Sequence, residues 1–241
     1  MSKTKINLIL PLLVIILLST AYGNAKGMEV GSLEYDASLI QDLEEREMLA
    51  ETDVPKAEWY TQESIKGWGP MPRVYPGVGN IVKTLPKGIN VEQWKRDRVV
   101  AIAKHYIGLP YRHHHIPGWN PQEGSKLNPL PGKGLDCSNF TAWVYNFGFG
   151  ISLHGDVELQ SKMLPRPGYS LPEGVRMIEK NEGFLPGDLL YIYNQNKTAI
   201  AHVVIYIDEN HIIDSTGTHV AIRAFSGWYL ERLSHAIRIF A

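Results

Sequence analysis

Cys137 is the only cysteine among 241 residues, and it stands in the run Asp136-Cys137-Ser138-Asn139-Phe140. A lone cysteine is either a reactive thiol or a small buried hydrophobe. Its neighbours favour reactivity. Gly132 and Gly134 precede it, and Asp136 occupies the position of a helix N-cap. Downstream, Phe140, Val144 and Phe147 fall at i, i+4 and i+7, the spacing of one helical face. Gly148-Phe149-Gly150 supplies a C-terminal stop. The thiol is therefore expected on a first helical turn, where free backbone N–H groups and the positive end of the helix dipole stabilise a thiolate.

A thiolate nucleophile needs a base that takes its proton and returns it to a leaving amine. Of the nine histidines, His202 begins a strand, which is a rigid platform, while His211 sits in the hairpin turn that follows. Val203, Ile205 and Ile207 make one apolar face, so His202 shares the other with Val204 and Tyr206. A tight turn near Asp208–Asn210 leads to the next strand. With an odd loop count, His202 and Asp214 project from the same side, directly opposite or on a diagonal. A carboxylate beside an imidazole fixes its tautomer and stabilises the imidazolium. The resulting assignment is Cys137 as nucleophile, His202 as base and acid, and Asp214 as orienter.

These groups need a platform. A helix is expected from Asn90, where Asn90-Val-Glu-Gln93 resembles a capping box, through Trp94, Val99, Ile102, Ala103 and Tyr106 to Gly108. A long loop over 112–134 carries His113-His114-His115 and several prolines; loops of that length are often functional rims. After the cysteine helix and an irregular stretch over 151–183, the period changes to two. Strands are expected at 188–193, 202–207, 211–215, 220–225 and 236–240. Helices followed by a strand-rich half indicate an α+β domain, with N-terminal helices packed on an antiparallel sheet of about five strands.

Composition narrows the function. Hydrophobic content of 44%, charged content of 20% and a formal net charge of −1 describe an ordinary globular chain. They give no electrostatic case for nucleic acid. One cysteine excludes a disulfide scaffold and a thiolate zinc cluster. Three adjacent histidines do not converge easily on one ion, so neither metal nor cofactor is expected. The chain opens with Lys3 and Lys5, an apolar run from Ile6 to Leu18 interrupted by Pro11, and small residues up to Ala25. This reads as a signal peptide over 1–25, too short to span a bilayer comfortably, and as export to the periplasm or exterior with no stable membrane span after cleavage. Residues 26–90 read as an N-terminal arm. Its first part is an acidic helix containing Leu39 and Leu43. Its second is a Pro/Trp-rich segment with Trp59, Trp68 and Tyr75, expected to pack on the main domain through its aromatics.

The catalytic domain over 91–241 resembles a known family. Gly108-Leu-Pro-Tyr111-Arg, Gly134-Leu-Asp-Cys137-Ser138-Asn-Phe140, Leu185-Pro-Gly187-Asp188-Leu and His202-Val-Val-Ile-Tyr206 are similar, in content and order, to the motifs of the NlpC-type cell-wall peptidases, which are papain-like cysteine hydrolases. The resemblance implies a papain-like fold and hydrolysis of peptide bonds in peptidoglycan stem peptides, typically between the γ-carboxyl of D-glutamate and a diamino acid. It also implies substrate contacts from Tyr111, Ser138 and Asp136, and an oxyanion met by the Cys137 backbone N–H. This chain departs from the family pattern in three places. Asp214 stands where the third polar residue is most often histidine, Asn139 stands where glycine is usual, and three histidines follow Arg112. Two alternatives remain: an amidase or acyltransferase using the same thiol, and a non-catalytic wall-binding or inhibitory protein.

Overall fold

The computed structural model describes residues 34–48, 72–113, 134–179 and 181–241. The expected signal peptide, Trp59, Trp68 and most of the histidine-containing loop lie outside the described residues.

The centre is helix α4, Cys137–Phe149. Its ends are set by local chemistry. The Asp136 side chain accepts a hydrogen bond from the Asn139 backbone N–H, and Gly150, at φ 72°, closes the other end in the left-handed region. Phe140, Val144 and Phe147 are wholly buried, each contributing about 2 kcal/mol of apolar burial. The neighbouring helix α3, Val91–His105, begins where Asn90 accepts from the Gln93 N–H. It buries Val99, Ile102 and Ala103 against α4.

Six antiparallel strands follow: β1 Arg176–Ile178, β2 Leu189–Tyr193, β3 Ile200–Asp208, β4 His211–Thr216, β5 His219–Ala224 and β6 Leu233–Arg238. Their order in the sheet is β1-β6-β2-β3-β4-β5. The sixth strand beyond the expected five is β1, whose three residues are too few to show an alternating pattern. One face, with Tyr191, Val203, Ile205 and Ile213, packs on α3 and α4. The other, with Leu190, Ile192, Val204 and Ile212, is covered by Phe184, Phe225 and Tyr229. Tyr229 belongs to the single-turn helix α6, Trp228–Glu231, between β5 and β6. A further short helix, α5 Val157–Ser161, follows α4 and is capped by Asp156.

The motif residue Asp188 holds the sheet rather than the chemistry. It is buried and takes two hydrogen bonds from Arg238, at 2.9 and 2.7 Å, joining the start of β2 to the end of β6. A bidentate pair of this kind fixes geometry as well as charge.

Parts of the arm, 26–33 and 49–71, lie outside the described residues. The arm's described residues form a 3₁₀ turn, Ala37–Ile40, and two six-residue helices, α1 Leu43–Met48 and α2 Gly79–Thr84. Of the expected aromatic contacts, Tyr75 makes edge-on contacts with Trp143 and Phe147 of α4. The rest of the attachment is apolar and polar together: Ile40, Leu43 and Val78 join the core cluster, and an ion-pair network lies beside them. Asp42 accepts from Arg98 of α3 at 2.7 and 2.8 Å and from Arg46 at 2.6 Å. Arg46 also donates to the Phe147 carbonyl, and Arg98 to the Gly148 carbonyl.

Candidate active site

Cys137 is the first residue of α4 and is half-buried. The turn beneath it is fixed by a buried amide. Gln160 of α5 donates to the carbonyls of Ser138 and His154, and its oxygen accepts from Thr141 and Tyr191. All four hydrogen-bonding positions of that amide are thereby used. The first turn of α4 is thus tied both to α5 and to the sheet.

His202 lies near the start of β3 and is 7% exposed. Its Nε2 is 2.6 Å from Oδ2 of Asp214, which is fully buried on β4. An ionised carboxylate only accepts, so Nε2 carries the proton and Nδ1 is the ring nitrogen left for the thiol. The pairing of Ile205 with Ile213 sets the β3–β4 register. That register puts Asp214 across from Val204 and diagonal to His202, one of the two arrangements expected from parity.

The charges around the imidazole are mutually supporting. Burial disfavours a charged His202 ring. The hydrogen bond to Asp214, a hydrogen bond to Cys137 and the charges of both outweigh burial and push its pKa up to about 10. Asp214 responds in the opposite sense. Burial alone would raise it, but hydrogen bonds and charge from His202 and Arg223 hold it below the usual carboxylate range. The arrangement therefore favours an imidazolium between a sulfur and a carboxylate, the charge state in which a thiol is activated by an adjacent histidine.

Tyr111 approaches the thiol from another direction. It is strapped in place by backbone pairing to Leu135 and by donation of its N–H to the Thr218 carbonyl at 2.8 Å. Burial, then the charges of Asp136 and Cys137, push its hydroxyl up to about 12, so it is a proton donor at neutral pH. Gly134 permits this strap. A Cβ there would lie 2.3 Å from the Arg112 side chain and 2.5 Å from the Pro110 carbonyl oxygen.

Asp136 and Ser138 are both buried, and their polar atoms are engaged within the protein. The Ser138 hydroxyl donates to the Gly155 carbonyl at 2.6 Å. Asp136 Oδ1 accepts from the backbone and side-chain amides of Asn139, each at 2.9 Å, and Oδ2 lies 3.7 Å from Nδ1 of His113. Asn139 thus bridges Asp136 to the loop at Gly155, also reaching its carbonyl at 3.5 Å. Among the described residues, no group of three or more His, Cys, Asp and Glu side chains is placed to hold a metal ion.

Sequence reasoning missed two residues of this cluster. Arg223 Nε donates to Asp214 Oδ1 at 2.7 Å, and the Tyr229 hydroxyl donates to Oδ2 at 2.9 Å. A signal for Arg223 existed. Thr216 pairs with His219 across Gly217-Thr218, so β4 and β5 form a two-residue hairpin. In that register Arg223 shares a face with Asp214. Tyr229 had no comparable signal, because α6 is one turn long.

A family model described as the NlpC/P60 family matches residues 111–238. The chain is 29% identical over 143 residues to the gamma-DL-glutamyl hydrolase of Bacillus subtilis, covering 59% of this chain but only 29% of that protein. Among solved structures, it is similar to an NlpC/P60 family protein from Bacillus cereus, with 25% identity, TM-score 0.43, and coverage of 61% of this chain and 40% of the other. It is also similar to a hypothetical invasion protein of Mycobacterium tuberculosis, with 19% identity, TM-score 0.46, and coverage of 65% and 66%. The family match takes in more than half of the chain, from Tyr111 through Cys137, His202 and Asp214 to Arg238, and the protein belongs to the NlpC/P60 family.

Proposed function

We propose that this protein is an exported cysteine endopeptidase that hydrolyses peptide bonds in peptidoglycan stem peptides, at the bond between the γ-carboxyl of D-glutamate and a diamino acid. The observation that carries the reading is the 2.6 Å contact of His202 Nε2 with Asp214, on a ring whose charge state also depends on a hydrogen bond to Cys137. Membership of the family supports the choice of peptidoglycan. The name of the Bacillus subtilis relative supports a γ-glutamyl bond.

In this mechanism the Cys137 thiolate attacks the scissile carbonyl, and the S–C bond forms as the carbonyl π pair moves to oxygen. The resulting oxyanion lies near the N-terminus of α4, where the Cys137 backbone N–H can meet it. The His202 imidazolium then protonates the leaving amine, the C–N bond breaks, and an acyl-enzyme remains. Water, deprotonated by the now neutral His202, releases the acid and regenerates the thiolate. Asp214 holds the imidazole in the required tautomer throughout.

The test is mass spectrometry of defined stem peptides incubated with the protein, with and without prior alkylation of Cys137. Cleavage of the γ-glutamyl bond by the free thiol alone is expected. Release at another amide would assign amidase or acyltransferase chemistry instead. Retention of uncleaved peptide by a protein whose thiol reacts normally would assign a wall-binding role.

A further inference from the structure

The carboxylate that orients His202 is itself held from two further directions. Asp214 has no exposed surface, so each of its oxygens must be satisfied inside the protein. Oδ1 accepts from Arg223 Nε of β5 at 2.7 Å. Oδ2 is shared by His202 Nε2 at 2.6 Å and the Tyr229 hydroxyl of α6 at 2.9 Å. Arg223 also reaches the carbonyls of Thr216 and His219, at 3.2 and 3.3 Å, and so anchors the carboxylate to the β4–β5 turn. Tyr229 and Trp228 place their ring centres 6.1 and 5.9 Å from that of His202.

We propose that Arg223 and Tyr229 are positioning residues for the Cys137–His202 pair, acting through Asp214. This rests on the reading of Cys137 and His202 as the reacting pair. A lone carboxylate beside a histidine can rotate about its Cα–Cβ and Cβ–Cγ bonds and offer either oxygen. Here Arg223 holds one oxygen, so the other is presented to the imidazole in one orientation. Tyr229 donates to that second oxygen and takes a share of its charge, which tempers the pull of the carboxylate on the imidazolium. Charged and titratable groups reach this assembly from every side: Cys137 from α4, Asp214 from β4, Arg223 from β5 and Tyr229 from α6. Tyr229 stays protonated, since burial and the Asp214 charge raise its pKa well above the ordinary phenol value.

The sign of the effect follows. With Arg223 or Tyr229 gone, His202 is left with a larger share of the stabilisation of a buried carboxylate. Deprotonating His202 then leaves Asp214 less well compensated, so the imidazolium persists to higher pH. The loss of orientation should reduce kcat and leave KM almost unchanged, because neither residue touches the thiol.

The experiment follows the His202 side-chain ¹⁵N signals against pH in the wild-type protein, Arg223→Gln, Arg223→Lys and Tyr229→Phe. In parallel, kcat and KM are measured on a γ-D-glutamyl–diamino acid stem peptide. Arg223→Gln and Tyr229→Phe are expected to move the His202 titration upward. They should lower kcat roughly tenfold and several-fold respectively, as for lost hydrogen bonds to a charged group. Arg223→Lys should restore part of the titration but not the full rate, since an ammonium cannot reproduce the guanidinium fork. Tyr229→Phe removes one oxygen from a half-buried side chain, which keeps the test independent of any folding defect in the arginine variants. A His202 titration unmoved in both Arg223→Gln and Tyr229→Phe would overturn the proposal. If the titration moves but the wild-type protein cleaves no stem peptide, the positioning role stands and the assigned reaction falls.

Discussion

The two ends of α4 are both tied down by hydrogen bonds, yet they are built for opposite purposes. At the C-terminal end two guanidinium groups, Arg46 and Arg98, donate to the carbonyls of Phe147 and Gly148. One carboxylate, Asp42, pairs with both arginines and leaves one net positive charge at this end. Cations at the negative end of the helix dipole are favourable, and here they join the arm to the domain. At the N-terminal end the supporting groups are mostly neutral or already capped: Gln160, Ser138 and the Asp136 cap. The charged group facing the first turn is the His202 imidazolium rather than a clamping guanidinium, and Cys137 keeps partial exposure. The comparison teaches that one helix can be clamped at one end to define its position and left accessible at the other. The described part of the arm accordingly braces the site from behind.

The largest predicted effect breaks the accessible end alone. Cys137→Ala or His202→Ala should each lower turnover by roughly 10⁴–10⁶-fold, since members of a catalytic unit fail together. For Cys137→Ala the thermal midpoint should stay nearly unchanged, as followed by circular dichroism beside the peptide assay, whereas His202→Ala should also lower it, because the buried Asp214 loses its 2.6 Å partner. A loss of stability in Cys137→Ala would mean that the two ends are not separable.

Asp214→Asn comes next, with a residual rate reduced roughly a hundredfold. The carboxylate that favours the imidazolium is gone, so the His202 titration should move to lower pH, read by the imidazole ¹⁵N shifts. An unchanged rate would assign the orienting role to another residue.

The clamped end is addressed by Asp42→Asn, which leaves two arginines without their shared counter-charge. Breaking a well-buried pair costs about 3–5 kcal/mol. The Asp42 side chain is 22% exposed, so a loss of about 2–3 kcal/mol is expected in denaturant unfolding, while kcat per folded molecule is retained. A fall in kcat at full folding would show that the clamp also tunes the thiol.

Gly150→Ala is the mildest change. Its φ of 72° disfavours any side chain, and a Cβ would lie 2.2 Å from the Tyr75 carbonyl oxygen. The arm must shift to admit it, and about 1–2 kcal/mol of stability should be lost.

The two ends should also separate with pH. Asp42 is partly buried, which raises its pKa, but Arg98 and Arg46 hold it below the ordinary carboxylate range. A depressed folded-state pKa contributes stability that is complete above the unfolded value of about 4 and is lost as pH falls through the folded one. His202 has the opposite sign. Its pKa is raised to about 10, so its contribution is complete below about 6.5 and is lost as pH rises through the folded value. Acid should therefore loosen the arm, while alkali should discharge the imidazolium.

The site was legible from the sequence where chemistry is local. Asp136 caps the helix that starts at Cys137 because both the cap and its amide partner, Asn139, lie within four consecutive residues. The alternation around His202 gave its face, and parity gave the relation to Asp214. Strand positions were read to within about three residues wherever five or more residues alternate. The three-residue β1 and the single-turn α6 have too little length for any period to appear. Nothing local in the sequence marks Arg46 and Arg98 as buried guanidinium groups.

The sequence by itself determined the helix that begins at Cys137 and the strand that carries His202, because capping and periodicity act over a few residues. Only the tertiary structure decided which donors converge on Asp214 and which carboxylate meets the arginines behind α4. Those contacts join residues as far apart as Asp42 and Arg98, or Asp214 and Tyr229. They exist only because strand register and helix packing bring the partners together in space, which no local pattern encodes.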